Sequence, residues 1–287
     1  MRKNIFKLIS VICFFTLLAG CSSHCYQPTE RVSTLTEADN TVITYGVRGG
    51  GDITIVFIHC WTGNHELWRS QIEYFSQNYR VVWLDLAGHG LSGKDRKNYT
   101  MESFGGDVAA VVNKVGTDHV ILVGHSMGGP VALEAASLLE NKVVGIVGVD
   151  TFYNGFTAPE TEEAIEAFLK PFQENFREAG LHMLDSMFIH DVDPAVKDSI
   201  INQLTTANPE MARSALRNIL IWKRAKETSL LEKYATKLRN INGAPTGKEV
   251  PLDKSVILIQ GVGHFIPQVK PNEFNKTLGE IIKELSK

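Results

Sequence analysis

The sequence predicts a doubly wound, mostly parallel α/β sheet interrupted by one inserted helical layer. Three observations carry this. Short β-branched runs alternate with stretches of helical period; the alternation stops between residues 156 and 235; and it resumes afterwards. Unbroken apolar runs are what strands covered on both faces require, and one apolar stripe in a polar stretch is what a helix laid on a sheet requires.

The first twenty residues read differently. Arg2, Lys3 and Lys7 precede an apolar run over 8–18 interrupted only by Ser10 and Thr16, the pattern of a secretory signal and too short to span a membrane stably. The run ends in Leu18, Ala19, Gly20, Cys21, which resembles the lipobox of bacterial lipoproteins. That resemblance implies cleavage before Cys21, a lipid on Cys21, and an exported protein held at a bacterial membrane of the cell envelope by that anchor. An ordinary signal peptide, with Cys21 free or paired, is the alternative. Residues 21–37 are polar and contain Pro28, and are expected to be a tether.

The expected division is therefore signal peptide 1–20, tether 21–37, an α/β core made of 38–155 and 236–287, and a helical cap over 156–235. Residues 41–47 alternate as a half-exposed strand, and the glycines at 49–51 are a hairpin-type break. A buried strand over 53–58 follows, then a helix over 67–75 with Leu67, Trp68, Ile72 and Phe75 at helical spacing, then a buried strand over 80–84. Residues 100–115 form a helix with Phe104, Val108, Val111, Val112 and Val115 on one stripe. A strand at 120–123, a helix from 127 to about 140 and a strand at 143–149 complete the first half. The inserted block is rich in charge and broken at Pro159, Pro171, Pro194 and Pro209; strands at 238–241 and 255–259 and a helix at 273–285 close the chain.

Composition narrows the function. A net charge of -3 gives no reason to expect nucleic acid or an anionic surface as partner, and 44% hydrophobic residues supply the core of one domain. The four cysteines are Cys13 in the signal, Cys21, Cys25 in the tether and Cys60 at a strand end, so no disulfide framework follows. His65, His119, His182 and His190 lack ligand spacing, and no metal or cofactor is expected.

The chemistry concentrates at strand ends, where open α/β sheets place their ligands. Residues 120–130, VILVGHSMGGP, run an apolar strand through a glycine-bracketed Ser126 into a helix. A serine on so sharp a turn is held in a strained conformation, and only residues without a bulky Cβ fit beside it. His59, Cys60 and Trp61 follow the 53–58 strand, and Gly263, His264 and Phe265 follow the last one.

In combination these motifs resemble the α/β-hydrolase superfamily over essentially all of residues 40–287. GHSMGG at 124–129 is similar to its nucleophile elbow, DLAGHGLS at 85–92 to its loop after the preceding strand, and GVGHF at 261–265 to its histidine loop. The resemblance implies Ser126 as nucleophile, His264 as base, and an oxyanion hole formed by the backbone amides of Met127 and Trp61. Cys60 stands where the family has a glycine. In many members the triad acid follows the seventh strand, but NINGAPTG at 240–247 holds no carboxylate. A known variation places the acid after the sixth strand, which implies Asp150, with Glu249 and Asp253 as alternatives. His59 and His89 are expected to brace loops. Phe168, Phe172, Phe176, Met183, Met187, Phe188 and Trp222 are expected to form the cap's own core, with two or three facing substrate.

The resulting expectation is a serine hydrolase acting on a small to medium, apolar carboxylic ester through an acyl-enzyme. Carbon-carbon bond or amide hydrolysis on the same groups, and a ligand-binding homologue with little turnover, are the competing functions.

Overall fold

A computed structural model describes residues 30–36, 39–189 and 191–287. The signal peptide, Cys21, Cys25 and most of the expected tether lie outside the described residues.

Eight strands form one sheet in the order β1-β2-β4-β3-β5-β6-β7-β8. They are β1 (Glu30–Leu35), β2 (Val42–Arg48), β3 (Thr54–Ile58), β4 (Arg80–Leu84), β5 (Val120–His125), β6 (Val143–Val149), β7 (Leu238–Ala244) and β8 (Val256–Gln260). From β4 onward across the sheet every pairing is parallel, and only β1/β2 and β2/β4 are antiparallel. The central strands β3 and β5 are buried along their whole length, as their unbroken apolar runs require.

Helices cover both faces. On one side α2 (Met101–Val115) and α3 (Gly128–Leu139) pack with Val56, Ile58, Leu84 and Leu122. On the other, α1 (Arg69–Phe75) and α9 (Pro271–Leu285) pack with Phe57, Val81, Val123 and Val147; a short helix α8 (Ile266–Val269) leads into α9. The helix over 101–115 begins at Thr100, whose hydroxyl accepts from Ser103 N while the Ser103 hydroxyl accepts from Thr100 N, and it ends at Gly116 in the left-handed region.

The inserted block is four helices between β6 and β7: α4 (Glu162–Glu174), α5 (Phe176–Ser186), α6 (Pro194–Leu204) and α7 (Pro209–Tyr234). Pro194 and Pro209 occupy first helical positions, where the missing N–H costs nothing. Helix α7 is pinned to α3 of the core through Trp222, whose indole N–H donates to Glu134 Oε1 at 2.6 Å.

The structure corrects three expectations. The tether expected over 21–37 does not reach 37: residues 30–35 are strand β1, paired antiparallel with β2 in register Thr34 to Ile43, with Val32 partly buried against the core. The α/β core thus includes residues 30–35. The glycines at 49–51 do not make a hairpin, because β4 lies between β2 and β3. Gly49 has φ +75°, and a Cβ there would stand 2.3 Å from Tyr79 O, so it serves a close crossing over the end of α1. Pro171 does not break the inserted block; it sits within α4, which ends at Asn175.

Candidate active site

The five residues singled out at strand ends, Trp61, Ser126, Met127, Asp150 and His264, line one cavity of about 380 Å³ between the sheet and the cap. A second, polar recess of about 460 Å³ lies against the Asp85 loop and contains none of the five.

Ser126 leaves β5 and enters α3 with φ +53°, a left-handed conformation that costs a non-glycine residue free energy. The bracketing glycines have measurable reasons. A Cβ on Gly124 would be 2.1 Å from Gly128 O, and one on Gly128 would be 2.5 Å from Ile58 O. Gly129 faces Thr151 in the same way, at 2.4 Å. The turn is tight enough that only hydrogen fits at these three positions.

The pairing of His125 with Val149 across β5 and β6 sets Ser126 and Asp150 side by side at two adjacent strand ends. Ser126 N donates to Val149 O, and Asp150 N donates to Ile241 O, both at 2.9 Å. Asp150 also has a positive φ, +45°. Its Oδ1 accepts from Gly243 N at 3.0 Å and its Oδ2 lies 2.6 Å from His264 Nδ1. Burial pushes the Asp150 carboxyl up, but the hydrogen bond and charge of His264, with the Gly243 N–H, outweigh it and hold the carboxyl below its ordinary value. The carboxylate therefore presents charge, not a proton, to the imidazole.

His264 is held on its other sides as well. Its N–H bonds to Met187 O of the cap at 3.0 Å, and His125 Nε2 reaches His264 O at 3.0 Å. A Cβ at Gly263 would meet Met187 O at 2.3 Å, so that glycine permits the approach of cap to histidine loop. Glu249 and Asp253 are engaged elsewhere, Glu249 with Thr246 and Lys248 and Asp253 with Ser255 N.

Neither the Trp61 nor the Met127 amide has a hydrogen-bond partner among the described residues, although both residues are buried. Paired amides are the rule in protein interiors, so two unpaired ones in residues that line the cavity are available donors. The Trp61 indole donates to Ala212 O of α7 at 2.7 Å, fixing the loop that carries this amide. Cys60 is buried, and burial pushes its thiol up to about 12, so it packs as a small apolar residue. The Ser126 hydroxyl makes no hydrogen bond to His264 among the described residues; it shares the cavity wall with it.

His59 and His89 brace loops: His59 Nε2 accepts from Leu86 N at 3.0 Å, and His89 Nδ1 lies 3.0 Å from Ala87 O. Of the cap side chains, Phe168, Met183 and Met187 line the cavity. Phe172 and Phe176 instead pack edge-on against Trp61, and Phe188 stacks on Phe265. Three polar cavity residues carried no signal in the sequence: Thr151, Asn154 and Lys223.

A hydroxyl on a strained turn, an imidazole oriented by a carboxylate and two unpaired amides around one cavity are the components of acyl transfer. The family model described as "alpha/beta hydrolase fold" matches residues 53–192. The dihydrolipoyllysine-residue acetyltransferase component of the acetoin cleaving system of Cupriavidus necator is 26% identical, covering 84% of this chain and 67% of its own length. The 2-(acetamidomethylene)succinate hydrolase of Mesorhizobium japonicum is 30% identical over 44% of this chain and 45% of its own length. The chain thus spans about two thirds of the first relative and less than half of the second. A thermophilic esterase from Thermogutta terrifontis superposes with a TM-score of 0.76 at 22% identity, over 89% of this chain and 99% of that one. Family match, sheet topology and the strand-end positions agree: the chain has the α/β-hydrolase fold, and its residues 53–192 match that family's model.

Proposed function

We propose that the protein is a serine hydrolase that cleaves a small to medium carboxylic ester through an acyl-enzyme, with Ser126, His264 and Asp150 as triad. The observation that carries this reading is the 2.6 Å contact of His264 Nδ1 with Asp150 in the wall of the cavity that also holds Ser126. Serine is inert as a free alcohol and needs a base.

Substrate bound in the cavity brings its carbonyl carbon to Ser126 Oγ. His264 Nε2 takes the hydroxyl proton as the C–O bond forms, while Asp150 holds the other ring nitrogen's proton and stabilises the imidazolium. The carbonyl oxygen becomes an oxyanion and accepts from the Trp61 and Met127 amides, a pair in which each donor is worth roughly 10²–10³ in rate in comparable sites. The intermediate collapses, the bond to the alcohol breaks, and His264 returns the proton to the leaving oxygen. Water then repeats the sequence against the acyl-enzyme, releasing the acid and free Ser126.

The same contact weighs against a ligand-binding homologue without turnover, whose motive was the missing carboxylate after β7. The protein with Ser126 intact is expected to take a fluorophosphonate label and to hydrolyse a short p-nitrophenyl ester; Ser126→Ala is expected to do neither. A wild type no faster than that variant overturns the reading.

We further propose that the protein is exported and anchored through lipidated Cys21. Intact mass of the mature protein tests this: an acylated N-terminal cysteine is expected, and a soluble form lacking acyl mass excludes it.

A further inference from the structure

The cavity lining is mostly apolar, with Phe168, Met183, Met187, Leu204, Leu216 and Leu220 from the cap. Thr151, Asn154 and Lys223 are polar members of the same lining, and Lys223 is the one lysine or arginine among the described lining residues. Its side chain is 7% exposed, on α7 of the cap, with Nζ 5.8 Å from the Phe156 ring centroid and 6.0 Å from that of Phe152. The ammonium is bound to Glu227, one turn along the helix, at 2.8 Å from Oε1 and 2.7 Å from Oε2; the Glu227 side chain is 17% exposed. An ammonium has three protons, and a carboxylate seated on it in this way engages at most two.

We infer that the Lys223–Glu227 pair is the specificity-determining contact of this cavity, selecting esters that carry an uncharged hydrogen-bond acceptor where they meet Lys223. Hydroxyl, ether, amide and second-ester oxygens belong to that class. The pair is neutral as a unit, so it offers a strong N–H dipole without net positive charge. A carboxylate reaching Lys223 would lose its water and sit close to Glu227, and like-charge repulsion in a mostly apolar cavity is stronger than in water. A plain alkyl end would leave the third N–H unpaired when water is expelled, which is also unfavourable. Glu227 thus acts as the element that rejects anions, and Lys223 as the element that rewards a neutral oxygen.

This inference rests on the hydrolase reading, and its test separates the two. Two matched ester series are compared, one varying the acyl end with p-nitrophenol as common leaving group, the other varying the alcohol end of a hexanoate. Each contains an alkyl, a methoxy and a carboxylate terminus. In the series that reaches Lys223, the wild type is expected to prefer the methoxy over the carboxylate member by at least tenfold in kcat/KM. Lys223→Met should lower the methoxy-to-alkyl ratio about tenfold, the worth of one hydrogen bond from a charged donor. Glu227→Gln should raise the carboxylate-to-methoxy ratio by about the same factor. Lys223→Leu, which also lacks a donor and is checked for folding by circular dichroism, covers the case in which the methionine variant fails to fold.

An unchanged methoxy-to-alkyl ratio in both lysine variants, or a carboxylate member preferred by the wild type, overturns the inference. Absence of turnover and of fluorophosphonate labelling overturns the hydrolase reading instead. Calorimetric binding of the same esters to Ser126→Ala then reads the selectivity directly, with the same ratios expected and the same reversals decisive.

Discussion

The backbone amide of Gly243 donates to Asp150 Oδ1 at 3.0 Å. Gly243 lies in β7, the strand after which the family's acid commonly stands, so the strand that lacks a carboxylate supplies the donor that steadies the one borrowed from β6. A carboxylate fixed on one oxygen by an amide and on the other by an imidazole has no rotational freedom left. Asp150→Asn is therefore expected to reduce kcat by roughly 10⁴, by favouring the wrong histidine tautomer. Glu249→Gln and Asp253→Asn, whose partners are local backbone and hydroxyl groups, are expected to change it less than twofold. Steady-state rates on one p-nitrophenyl ester compare all three.

The glycines around Ser126 answer to contacts with backbone oxygens that cannot move aside. Gly128→Ala would press a methyl group onto Ile58 O and distort the turn. An overpacking cost of about 1–3 kcal/mol is expected, which for a domain of this size lowers Tm by several degrees. Activity should fall far more than the fraction unfolded explains, because the Met127 amide moves with the turn. Gly106→Ala, a helical position with open space around it, is the control and should leave both unchanged or slightly raise Tm.

Acid stability follows from two buried histidines. Burial first, and then the charge of His59 beside His89 and of His264 beside His125, lowers both imidazoles from 6.5 to about 3. Both rings are neutral in the folded protein, whereas in the unfolded chain they take protons below 6.5. Stability from them is complete above that pH and drains as pH falls toward 3, by about 3 kcal/mol for the two together at pH 5.5. Asp150, with its carboxyl below the ordinary value, contributes a loss only below about pH 4. Urea titrations from pH 7.5 to 5 should show stability falling with pH, with His59, also buried and lowered, adding to the loss and Asp107, raised by burial to about 6, offsetting part of it; His125→Gln should lose less stability over this range than the wild type.

Glu134 is one of the points at which the cap is fastened to the core. The Trp222 indole and Lys226 both reach Glu134 Oε1, at 2.6 and 3.1 Å. Glu134→Leu strands a buried indole N–H and is expected to cost about 1–3 kcal/mol. Lys226→Met removes only a half-exposed charge that Glu102 shares, and should cost less than about 1 kcal/mol. Thermal melts rank the two, and hydrogen exchange in α7 should quicken in the first variant alone.

Legibility in the sequence tracked how much each residue's neighbours in the chain decide its structure. Strands β3 to β6 were readable because burial on both faces leaves only apolar β-branched residues, and β6 matched its expected span of 143–149 residue for residue. Asp150 was readable because it ends that run. Strand β1 was not: an edge strand of six residues has one partner, β2, and its polar alternation looks like a tether until the pairing is seen. Lys223 was not either. A lysine four residues before a glutamate on a helix reads as a solvated surface pair, and only the fold of α7 over the β6 end turns it inward.

The insertion point between β6 and β7 divides labour along the chain. Ser126 and Asp150 precede the cap and His264 follows it, all carried by the sheet, while Phe168, Met183, Leu216, Leu220 and Lys223 of the lining belong to the inserted helices. The block could be exchanged for another set of helices of different lining without moving any of the three groups, provided the Met187 carbonyl and the Ala212 carbonyl found replacements. The fold is in this sense a fixed tool with a detachable grip: what the site does resides in the sheet, and what it accepts can be rewritten in one continuous segment.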